Sequence, residues 1–133
     1  MDTFRSMTFL RRVLLIDAIS SAFMGAALLT LSGLFASLCS LPETLLMESG
    51  LALLPFAAFL RYLASRSMPP RSGVWCVVVL NAAWVLGSAA LLLGDAITPN
   101  AFGYAFIVAQ AVVVGVFAEL QVIGLRKQAA VAA

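Results

Sequence analysis

The sequence predicts an all-α integral membrane protein, a four-transmembrane-helix antiparallel bundle with both termini on the cytoplasmic side. Three observations predict it. Of 133 residues, 63% are hydrophobic and 11% charged, and the mean hydropathy is +1.08; a soluble domain carries about 25% charged residues. Four apolar stretches each supply the run of about 20 residues that a helix needs to cross a bilayer. All eight basic residues cluster toward one side of those stretches. Too little polar surface exists to wrap a water-soluble core, so a soluble enzyme, a nucleic-acid-binding domain and a disordered segment are excluded.

The first stretch, residues 13–38, follows a basic flank as a secretory signal does. It is too long for one, contains Asp17 and is followed by no clean small-x-small cleavage site, so it reads as a retained helix. The second, residues 42–61, opens on Ser40-Leu41-Pro42-Glu43, the spacing of a capping box. Pro55 falls in its middle, where a missing backbone donor kinks a helix, and is a candidate hinge. The third, residues 74–93, starts after Pro69-Pro70, which cannot continue a helix. The fourth, residues 101–125, follows a turn in which Thr98 is the expected N-cap and Pro99 lies in the first turn. Short connections make consecutive helices antiparallel neighbours in one membrane domain, residues 1–133, with short tails at 1–12 and 126–133. Ser21-xxx-Gly25, Ala83-xxx-Gly87 and Ala111-xxx-Gly115 are spacings that let helix backbones approach closely in lipid.

Charge orients the chain. Arg5, Arg11, Arg12, Arg61, Arg66, Arg71, Arg126 and Lys127 flank the N-terminus, the connection between the second and third stretches, and the C-terminus. The other two connections carry only Glu43, Glu48 and Asp95. The positive-inside rule then sets both termini in the cytoplasm, and the expected location is a cell inner (plasma) membrane, with an organelle membrane as the alternative.

Ionisable groups inside a span are costly and face protein or a water-filled cavity. Asp17, Arg61, Asn81 and Glu119, one from each stretch, all fall roughly 7–11 Å inside the basic boundary at 1.5 Å per residue. They are expected to form one polar layer. Two acids against one guanidinium leave a carboxylate uncompensated, which is the ingredient of a proton or cation site. The plainer expectation is a structural layer, with Arg61 reaching its head toward the headgroups. Helical phase puts Asn81, Trp84 and Ser88 on one face, and Asp17, Ser20, Ser21 and Met24 on another. On the fourth stretch Gln110 and Gln121 are nearly in phase while Glu119 points the opposite way, so Gln110 and Gln121 are candidates for a partner-facing or second polar face.

Catalytic and cofactor signatures are missing. There is no histidine, no phosphate-binding loop, nucleophile elbow or metal motif, and no base beside Ser20 or Ser21. Cys39 and Cys76 should lie a membrane thickness apart, beyond disulfide reach. The expectation is therefore a non-enzymatic protein without cofactor or metal. It would be a structural or interaction subunit, or a scaffold that binds lipid or partner helices. The alternative is a small proton- or cation-coupled transporter using the polar layer. Expected partners are membrane lipids and either further copies of the chain, as a homo-oligomer, or a partner membrane subunit, with no nucleic acid.

Overall fold

The computed structural model describes residues 8–132, with side chains as far as residue 129; Arg5 lies outside the described residues. These form five helices and no strand: α1 (Phe9–Thr30), α2 (Ser32–Cys39), α3 (Glu43–Ser65), α4 (Arg71–Leu93) and α5 (Ala101–Ala132). The helices α1, α3, α4 and α5 are each long and apolar enough to cross a membrane, which makes the chain a multi-pass membrane protein.

Local chemistry accounts for the places where the elements differ from the sequence expectation. The first stretch is two helices, broken at Leu31, whose backbone leaves the helical region (φ −118°, ψ 26°). Just before the break, the Thr30 hydroxyl donates to the Ala26 carbonyl at 2.8 Å, a back-bond that bends helices. Ser32-Gly33 follows at once, a pair at which helices kink. The Ser32 hydroxyl then donates to Glu43 at 3.3 Å, tying the start of α2 to the start of α3. Ser40 does not open a capping box. It ends α2 in the left-handed region (φ 54°, ψ 48°), and α3 starts from Pro42 without a side-chain cap.

Asn100, rather than Thr98, caps α5. Its Oδ1 accepts from the Gly103 N–H at 2.9 Å, and its Nδ2 donates to the Leu38 carbonyl at 2.8 Å. One side chain thus starts α5 and fastens it to the end of α2. At the basic end, two arginines bond backbone carbonyls of neighbouring helices, the first of them near a C-terminus whose last carbonyls have no intrahelical donor. Arg11 Nε donates to the Ala64 carbonyl of α3 at 2.9 Å, and Arg71 donates to the Leu125 carbonyl of α5 at 3.0 Å.

Two apolar clusters hold the helices. At the basic end Leu10 and Leu14 of α1 meet Leu60 and Leu63 of α3, Val74 and Val77 of α4, and Leu125 of α5. At the opposite end Leu28, Cys39, Leu41, Leu46 and Ile107 form a second cluster, with the Phe35 and Phe106 rings 5.7 Å apart. α1 packs most extensively against α3 and α4 against α5, and these two pairs meet along α1 and α5. The consecutive helices α3 and α4 barely touch, although their connection is short.

Lipid offers apolar helices no net gain for leaving it, so association depends on close approach and on hydrogen bonds. Gly25 of α1 and Gly50 of α3 supply the approach. A Cβ on Gly50 would stand 2.9 Å from the Gly25 carbonyl oxygen and 2.9 Å from Leu29 Cγ. Gly87 of α4, by contrast, faces open space, so only the first of the small-residue spacings lies at a tight crossing. Gly50→Val should lower stability by about 1–3 kcal/mol through overpacking, while Gly87→Ala should leave it unchanged or slightly raised. Reversible unfolding in mixed micelles measures both.

Candidate functional site

The polar residues of α1, α4 and α5 converge on Asp17. Its carboxylate is 3% exposed and accepts three hydrogen bonds, all from uncharged groups. Gln121 Nε2 donates to Oδ2 at 2.7 Å, Asn81 Nδ2 donates to the same oxygen at 3.2 Å, and the Ser21 hydroxyl donates to Oδ1 at 3.2 Å. Asn81 Nδ2 also donates to Gln121 Oε1 at 3.0 Å, closing a triangle across three helices. Buried polar groups in hydrocarbon must find partners among themselves, and here they do.

This cluster differs from the expected layer of four. Asp17 and Asn81 come together. Arg61 on α3 and Glu119 on α5 are exposed and do not join them. Gln121 takes the inward place, with no accessible surface. The reason is helical phase: two residues apart on a helix point about 200° apart, so Glu119 and Gln121 cannot both face inward. Burying the neutral amide costs far less than burying a second carboxylate. The sequence contained this signal, since Gln110 and Gln121 are in phase and Glu119 is not. What it lacked was the choice of which face turns in.

Gln110 also turns inward, into a second network one helical stretch away. Trp84 Nε1 donates to Gln110 Oε1. Gln110 Nε2 donates to the Ser88 hydroxyl at 3.0 Å and to the Ile107 carbonyl at 2.8 Å. Ser88 donates to the Trp84 carbonyl at 2.8 Å. The face expected to meet another chain is therefore occupied within this one. Pro55 is exposed within an unbroken α3.

Between the α1/α3 and α4/α5 pairs lies a cavity of about 930 Å³, near the upper end of the range of ligand pockets. All four long helices line it, and its walls are leucine, isoleucine, phenylalanine and valine with few polar groups. Asp17, Ser21 and Asn81 stand in one part of the wall, Trp84, Ser88 and Gln110 in another, and Leu28 and Leu41 in a third. Along α1, Asp17 to Leu28 spans about 16 Å. Several lining residues remain exposed, among them Ile19, Phe23 and Leu80, so the cavity is not sealed. Among the described residues, Asp17 is its only charged lining residue. Sequence reasoning found most of the polar lining but not the cavity, because nothing in the order of residues says that α3 and α4 stand apart.

No group of three or more cysteine, aspartate or glutamate side chains that could hold a metal ion occurs among the described residues. Cys39 and Cys76 are both free, the first buried and the second exposed. Comparisons with protein-family models, with curated proteins and with solved structures return no match.

Gln121→Leu keeps the volume but takes the shortest hydrogen bond from a buried carboxylate, which should cost about 1–3 kcal/mol. Glu119→Gln, on an exposed face, should change stability by less than about 0.5 kcal/mol. The pair, compared in the same unfolding assay, separates the observed cluster from the expected layer.

Proposed function

We propose that this protein is a membrane-embedded binding scaffold, without catalytic machinery, that holds a lipid-like molecule in the cavity between its two helix pairs. The observation that carries the reading is the cavity itself: about 930 Å³ of mostly apolar space, reached by two small polar networks. A void of that size left empty would forfeit packing on all its walls, whereas an apolar occupant restores those contacts and the few polar groups orient it.

The arrangement we infer around it is an antiparallel four-helix bundle in a cell inner membrane, both termini cytoplasmic. Its support is that the starts of α1 and α4 and the ends of α3 and α5 share one apolar cluster, next to every basic residue from Arg11 to Lys127. A green fluorescent protein fused at the C-terminus should fluoresce in cells, and an alkaline phosphatase fusion at the same point should stay inactive. An active phosphatase would reverse the orientation.

Association with further copies or a partner membrane subunit is part of the same proposal. Arg61 and Glu119, exposed on helices that face the surroundings, are charges that a neighbouring chain or headgroups would satisfy. The alternative, a proton- or cation-coupled transporter, retains Asp17 and Asn81 of its four residues in the cavity wall.

Native mass spectrometry of the full chain, extracted gently from its own membrane, tests the scaffold reading. The expected spectrum shows adducts of lipid mass in stoichiometric amount. Ser49→Trp, which fills the cavity from α3, should remove them. A wild-type spectrum free of adducts, or adducts unaffected by Ser49→Trp, would overturn it.

A further inference from the structure

We propose that the cavity selects a lipophilic cation: an apolar, partly aromatic body carrying one positive charge that sits against Asp17. The inference rests on the scaffold reading above and adds the charge of the occupant. It starts from charge balance. Among the described residues Asp17 is the only lining residue with a charge, and neither arginine nor lysine lines the cavity. Its three hydrogen-bond donors, Ser21, Asn81 and Gln121, are neutral. They orient the carboxylate without cancelling it. A carboxylate has about four acceptor positions. Three donors are in place, two on Oδ2 and one on Oδ1, which leaves acceptor capacity on Oδ1 for a ligand. A lone anion in a low-dielectric wall strongly favours a positive neighbour and repels a negative one.

The rest of the lining suits the body of such a molecule. Phe23, Phe56, Trp84, Phe106 and Phe117 stand around the same space. Aromatic faces attract cations and stack against apolar rings, and the attraction grows where water is excluded. Trp84 is held in place by its bond to Gln110, so its ring is presented in one orientation. The donor groups nearest Asp17 are already committed to it or to one another, so a ligand anion would find no cluster of free donors.

Binding of radiolabelled tetraphenylphosphonium to the purified full chain in detergent tests the inference, with tetraphenylborate as the anion of nearly the same shape. The expected result is one saturable site per chain for the phosphonium, with the borate at least about tenfold weaker. Asp17→Asn, assayed on the fraction that elutes as folded protein, should weaken phosphonium binding by at least about tenfold, and Asp17→Glu, which keeps the charge, should restore most of it. Ser49→Trp, which leaves the Asp17 cluster untouched, should abolish binding and guards against a misfolded Asp17 variant. Dodecyltrimethylammonium, a cation without rings, should displace the phosphonium less effectively than unlabelled phosphonium does, and equal displacement would overturn the aromatic part of the proposal. Equal binding of the two tetraphenyl ions, or undiminished binding by Asp17→Asn, would overturn it. If lipid adducts persist in the native spectrum but no phosphonium binds, the charge selection fails and the scaffold stands. If neither is seen, both fail.

Discussion

One carboxylate joins the two halves of this protein. Asp17 projects from the helix that packs most closely on α3, and the amides that hold it come from α4 and α5. Apart from apolar contact, this cluster is where three of the four long helices are bonded side chain to side chain. In water such a link adds little, because every group has solvent as an alternative. In hydrocarbon the alternative is an unsatisfied polar group, so the cluster specifies which helix faces turn toward one another even where its net energy is modest. The register of α1 against α5 follows from it.

The remaining contacts divide the labour by position. The two ends are closed by apolar clusters and by side chains that bond backbone carbonyls of neighbouring helices, Arg11 on α3, Arg71 on α5 and Asn100 on α2. The α1/α3 pair is drawn together at Gly25 and Gly50, where a Cβ on Gly50 would meet the α1 backbone and one on Gly25 would be tightly crowded by α3. The middle is not closed. Because α3 and α4 barely touch, the polar clusters face a common space instead of packing to a solid core. A tight pair, a looser pair and a joint at the ends leave a cavity between them.

The lining of that space brings few reactive groups together. A buried carboxylate, neutral donors that aim it and several aromatic side chains line one space. Arg61 and Glu119 are exposed and stand outside that lining.

The sequence by itself determined the class, the number of long helices and the inventory of polar groups at membrane depth. Those follow from composition, run length and residue spacing, which act locally and survive any arrangement of the helices. It also contained the opposition of Glu119 to Gln110 and Gln121. Only the tertiary structure decided that the amides turn inward and Glu119 outward, that the first stretch breaks at Leu31, and that Asn100 rather than Thr98 caps α5. The break at Leu31 and the Asn100 cap come from local side-chain hydrogen bonds, and the choice of inward face has a different cause. In lipid an apolar face has no preference for the interior, so hydrophobic periodicity loses the directional meaning it has in water. The inward face is then chosen by which polar side chains can satisfy one another across helices, a property of pairs that no single position in the chain records.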